Sequence, residues 1–159
     1  MNTWIGGTLV AFFIAFGLLG PMLAPYPEGH RDTENPLAES SAEHRLGTTE
    51  DGTDVLSALC HGARVALVVG LATVALSVTI GTFIGLLSGY YGGWVDKVSG
   101  RVIDTIMAFP LFVLAMGIVA ALGNTVENII YATAIINVPF YARVARAEAT
   151  IRRNAGFVQ

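Results

Sequence analysis

The stretch VALVVGLATVALSVTIGTFIGLLSG, Val65 to Gly89, runs for 25 residues without an Asp, Glu, Lys, Arg or His. A helix rising 1.5 Å per residue needs about 20 residues to cross a hydrocarbon core of roughly 30 Å, so this run is long enough. Ile5 to Ala24 and Thr105 to Val126 are equally free of ionisable side chains. With 53% hydrophobic and 13% charged residues, the chain is too apolar for an ordinary water-facing surface. An all-α, multi-pass transmembrane helical bundle follows.

A fourth apolar stretch, Asn128 to Ala142, has only 15 residues between Glu127 and Arg143. It counts as a span if Arg143 snorkels, with its stem along the helix and its guanidinium at the headgroups. The predicted order is transmembrane helices at 5–24, 65–89, 105–126 and 128–145. An extracytoplasmic loop with a short amphipathic helix fills 25–63, a cytoplasmic loop fills 90–104, and a cytoplasmic segment follows at 146–159.

The residues before Ile5 carry no Lys or Arg, so the first apolar run lacks the basic n-region of a signal peptide and reads as a retained helix. Gly20-Pro21 and Pro25-Tyr26-Pro27 mark its end, because proline fixes φ and withholds a helix donor. Between Glu28 and His61 lie eight acidic residues against Arg31 and Arg45. Within this polar stretch, Thr53 or Asp54 is placed to cap a helix opening at Val55, Leu56 and Leu59.

Basic residues concentrate on the cytoplasmic side of membrane proteins. Lys97, Arg101, Arg143, Arg146, Arg152 and Arg153 fall on one side of the alternating scheme, and Arg31, Arg45 and Arg64 on the other. Both termini and the 90–104 loop are therefore expected inside, in a cytoplasmic membrane, and residues 25–63 outside.

Several constellations bear on function. Ser77, Gly81, Gly85 and Gly89 place a small residue every fourth position along one face. In lipid such faces let helix backbones approach closely, although a tolerated glycine-rich span would look the same. Asn137-Val138-Pro139 falls inside the fourth segment, where Pro139 cannot donate and clashes one turn back. A kink lining a substrate path and plain packing both fit. Arg101 and Asp104 are spaced to pair across a turn. Arg143, Arg146, Arg152 and Arg153 suit anionic lipid or a cytoplasmic partner.

Other chemistries are excluded or disfavoured. The only lysine, Lys97, lies outside any GxxxxGK[ST] loop, so the chain has no P-loop for ATP. Asp54, Ser57 and His61 share helical spacing, whereas a Ser-His-Asp triad is normally assembled from separate elements. One cysteine, Cys60, and the scattered His30, His44 and His61 offer neither an intrachain disulfide nor paired metal-ligand spacing. No catalytic, cofactor or metal residue is expected, and no nucleic-acid partner.

Read in order, four stretches resemble the permease subunits of the dipeptide, oligopeptide and nickel class of ABC importers, specifically the second of two homologous permeases. Gly20 to Pro27 looks like that family's exit from helix one. His44-Arg45-Leu46-Gly47-Thr48-Thr49-Glu50-Asp51-Gly52-Thr53-Asp54-Val55-Leu56-Ser57, continuing to Gly62-Ala63-Arg64, is similar to its outer-loop signature. Gly89 to Asp96, with Ala108-Phe109-Pro110, resembles the turn into helix three, and Tyr141 to Glu148 the end of helix four. Thr53 stands where the family usually has Arg, and His61 where it usually has an aromatic residue.

The resemblance implies a type I ABC importer permease fold with four of six helices present. It implies translocation of peptides or a related small solute, nickel being among those of that class, by a heterodimer of two permeases with two cytoplasmic ATPase subunits that bind ATP, and an extracytoplasmic solute-binding protein. Phe157-Val158-Gln159 looks like the opening of a coupling segment, so Arg143, Arg146, Glu148, Arg152, Arg153, Phe157 and Gln159 become candidate cytoplasmic contacts. Leu46, Gly47, Thr48, Gly52, Asp54, Gly62 and Arg64 carry the outer-loop signature. The stop at Gln159 is expected to mark a fragment, a truncated product or one piece of a split protein. A small assembly protein that binds other helices through its glycine face is the alternative.

Overall fold

The computed structural model describes residues 2–153, which form five helices: α1 Asn2–Leu23, α2 Val55–Tyr91, α3 Gly93–Met107, α4 Leu111–Leu122 and α5 Val126–Arg153. The chain divides into two compact units, Met1–Val68 and Val69–Gln159.

In the first unit, α1 turns Trp4, Phe12, Phe13 and Leu18 outward, as a helix facing hydrocarbon does. Gly17 and Gly20 are buried against the start of α2. A Cβ on Gly17 would come within 2.8 Å of Leu67, and one on Gly20 within 2.9 Å of the Cys60 carbonyl. Helix α1 ends two residues after Pro21, ahead of Pro25 and Pro27. The polar segment 24–54 then folds through backbone hydrogen bonds, including Asp32 N–H to Gly52 O at 2.9 Å and Thr48 N–H to Ala38 O at 3.0 Å. At Gly47 and Gly52, both with φ of 77°, the chain takes a left-handed turn hard against the carbonyls of Ala38 and Asp32, where a Cβ would collide.

The expected amphipathic helix within 25–63 is not separate from the span at 65–89. Both belong to α2, whose 37 residues extend about 55 Å. Gly62 alone between Leu59 and Val65 is too weak a break to end a helix that has neither proline nor turn chemistry there.

In the second unit, the expected 90–104 loop is largely helical. Gly92, at φ 64°, ends the run of α2, and α3 follows with Ile103 buried and Asp96, Lys97, Arg101 and Asp104 along its length. The expected helix 105–126 is broken at Ala108-Phe109-Pro110, where α3 and α4 meet at 91°. Pro110 has no N–H to continue α3, and its carbonyl accepts from Leu114 to open α4 at 3.0 Å. The segment expected at 128–145 sits inside α5, which passes through Pro139 and on to Arg153. Phe157 and Gln159 lie outside the described residues.

Among the described residues, two helices qualify as spans by length and apolarity, α1 and α2, and a third if α3 and α4 are counted as one broken span. Helix α4 has 12 residues, about 18 Å, and α5 is too polar along its 28 residues to qualify.

Candidate functional site

The second unit is organised by a seam between α2 and α5. Ser77, Gly81, Gly85 and Gly89 all face α5 and are buried. Ser77 is 0% exposed, and its hydroxyl donates to Thr73 O at 2.7 Å and lies 3.2 Å from Ala134 O. A Cβ on Gly81 would meet Val138 O at 2.7 Å, one on Gly85 would strike Ala142 O, and one on Gly89 would meet Arg146 O at 2.6 Å. Opposite them, α5 offers Ala134, Val138, Ala142, Ala145 and Ala149. Contact at this range is between backbones, which in a membrane replaces hydrophobic burial as the source of helix association. The glycine face is therefore covered within the chain, which removes the basis for an assembly protein offering it to other helices.

At one end of the seam stands a polar elbow. Asp96, in the first turn of α3, accepts from Ser88 Oγ at 2.6 Å and forms a two-point ion pair with Arg146, one contact of which is Nη2 to Oδ2 at 2.6 Å. One carboxylate thus ties α2, α3 and α5 together, and a forked guanidinium suits that task. Asp104 pairs with Arg143 at 2.6 Å, not with Arg101 as the spacing suggested. Arg143 reaches Asp104 from the neighbouring helix α5, 39 residues on in the chain. Asp96, Lys97, Gly100, Arg101, Asp104 and Arg146 help line an open groove of about 740 Å³.

The remaining candidates on α5 are also placed. Arg152 pairs with Glu148 one turn away at 2.8 Å, and the Arg153 guanidinium lies over Gly92. Pro139 is fully buried, and Asn137 donates to Thr133 O at 2.7 Å. Together they line a small cavity of about 120 Å³ with Ile106, Met107, Phe109 and Leu111.

In the first unit the outer-loop candidates surround a buried carboxylate. Asp54, 1% exposed, caps α2 by accepting from the Ser57 amide and hydroxyl, both at 2.8 Å. Its other oxygen lies 3.0 Å from His44 Nδ1. The Ser57 hydroxyl therefore faces the carboxylate and no imidazole, and His61 instead lies 3.1 Å from Tyr26 O, so no nucleophile is built here. Thr48 is buried and bridges Asn35 O and Ala38 N, whereas Leu46, Gly62 and Arg64 are exposed. His44 was not among the candidate residues. Its one sequence signal is that it opens the loop signature.

Residues 81–159 match the family described as the binding-protein-dependent transport system inner membrane component. The chain belongs to that family. Its relatives include a dipeptide transport system permease protein of Alkalihalophilus pseudofirmus, 36% identical over 97% of this chain and 51% of its own length. A glutathione transport system permease protein of Pectobacterium atrosepticum is 33% identical over 96% of this chain and 51% of its own length. A di/tripeptide transport system permease protein of Pseudomonas aeruginosa is 36% identical over 97% of this chain and 53% of its own length. The chain spans about half the length of these relatives. None of the three names mentions nickel, and the family match covers the whole α2–α5 seam from Gly81 onward together with α3 and α4.

Proposed function

We propose that this chain forms part of the membrane-embedded region of a permease subunit that moves short peptides or a related small solute across the cytoplasmic membrane by ATP-driven import. The observation that carries this reading is the coincidence of the family match with the α2–α5 seam and the Asp96 elbow. The peptide substrate class rests on the names of the relatives.

In this reading the chain performs no chemistry on its cargo. ATP is bound and hydrolysed by two separate cytoplasmic subunits, a second permease completes a heterodimer, and an extracytoplasmic protein delivers the solute. Residues 25–54 face outward, while α3 and the end of α5 face the cytoplasm, in keeping with the distribution of Lys and Arg. Coupling to ATP requires a surface that the ATPase contacts differently in its two states. Glu148, Arg152 and Arg153, exposed on the last turns of α5, are the described residues available for it. Arg143 and Arg146 serve it indirectly, by fixing α3 against α5.

Uptake of a labelled dipeptide, in cells that depend on the system containing this chain, tests the reading. Deletion of the gene should abolish uptake and its return should restore it. Asp54→Ala should reduce uptake while leaving membrane insertion intact. Purification of the tagged chain from detergent extract should bring down a second permease and the ATPase subunits. Unchanged uptake after deletion would refute the proposal.

A further inference from the structure

His44 is the only described residue whose side chain is held between two carboxylates. Nδ1 lies 3.0 Å from Asp54 Oδ1 and Nε2 lies 3.3 Å from Asp32 Oδ2. The histidine side chain is 5% exposed, and the Asp54 and Asp32 side chains are 1% and 24% exposed. An ionised carboxylate can only accept, and a neutral imidazole has one N–H and one lone pair. Any neutral tautomer would therefore point a lone pair at an anionic oxygen. Only the imidazolium, with a proton on each nitrogen, satisfies both ends.

Among the described residues, no second cation is paired with Asp54 or Asp32. Tyr26 stacks on the imidazole at 5.2 Å between centroids, with His30 stacked on its other side at 4.8 Å. The start of α2 presents Asp54 and Ser57, and His61 engages the Tyr26 carbonyl. Arg31 is directed at Asp51.

We propose that the protonated His44 is a pH-sensitive clasp that fastens segment 26–54 to the N-terminus of α2, closed when the imidazole is charged and loosened when it is neutral. The directions of titration agree. The bond to Asp54 raises the His44 value, against the opposing effect of burial, and Asp32 adds to the rise. For Asp54, burial opposes the charge, but the Ser57 amide and hydroxyl and the His44 ring outweigh it and hold the carboxyl below its ordinary value. Asp32 is also lowered, first by Asn35, with His44 contributing.

A group raised in the folded state contributes fully below its unfolded value, about 6.5 for histidine, and loses that contribution as pH rises through the raised value. The two carboxylates contribute fully above about 4 and lose their contribution as pH falls through their depressed values. The clasp is thus tightest between about pH 4 and 6.5 and opens on the alkaline side.

The test is a histidine-selective NMR titration of the full chain in detergent or nanodiscs, together with amide exchange corrected for the intrinsic effect of pH. His44 should titrate above about 6.5, the ordinary histidine value. Protection of the Asp32, Thr48 and Ser57 amides should fall at least about tenfold as His44 deprotonates. Asp32→Asn should move the His44 midpoint down, and His61→Gln should leave the pH response in place. A His44 midpoint at or below about 6.5, or protection that does not change across the titration, would overturn the proposal. So would an equal pH response in His44→Gln. The titration of the unmutated chain decides the matter even where a variant fails to fold, and none of these readouts depends on transport.

Discussion

The α2–α5 seam and the loop around Asp54 are held together by opposite means. In the seam nearly everything polar has been removed and side chains have shrunk to hydrogen or methyl, so that one backbone lies against another. In the loop a buried anion is surrounded by donors from Ser57 and His44, and the fold is specified by hydrogen bonds with fixed partners. The contrast follows from the solvent each was built for. Lipid gives no drive to bury apolar area, so shape must supply the attraction. A short loop in water has too little apolar surface to bury, and a satisfied polar network takes its place.

The sharpest way to break the comparison is to add atoms to the seam and remove them from the loop. Gly85→Leu forces a side chain into the Ala142 carbonyl and should cost about 3 kcal/mol or more, measured by reversible unfolding in mixed micelles. Gly70→Ala on the same helix meets open space and should be neutral or mildly stabilising, which separates crowding from glycine loss in general. In the loop, Asp54→Ala removes a helix cap and strands His44, and should cost about 2–3 kcal/mol by the same measurement. Arg146→Ala and Asp96→Ala, combined in a double-mutant cycle, should show a coupling of about 1 kcal/mol, since both side chains are partly solvated. Ser77→Ala should cost least, about 0.6 kcal/mol, the usual size of an interhelical hydrogen bond in a bilayer.

Half of each region was legible in the sequence. The glycine face of α2 stands out because glycine at every fourth position is unusual, but its partner does not. Ala134, Ala142, Ala145 and Ala149 look like ordinary helix formers, and only the fold makes them a surface. In the loop, Asp54 could be read as a cap from local spacing, whereas His44 lies ten residues away in a segment with no periodicity. The elbow is hidden for a related reason. Arg101 is near Asp104 in sequence, and local spacing cannot reveal that Arg143, 39 residues on, occupies the place. In the short stretch after Gly92 the charges mask the amphipathic helix α3, and the apolar run around Pro110 masks the break between α3 and α4.

The bare contact between α2 and α5 also has a mechanical consequence. Side chains interposed between two helices can change rotamer and let one slide past the other, but two backbones in contact have no such slack. A slip of one residue would bring Ile84 or Leu86 of α2 to the place of Gly85, against Ala142. The paired helices are therefore a single stiff strut. Movement in this part of the molecule is left to its joints, the glycines at 92 and 93 and the right-angled bend before Pro110.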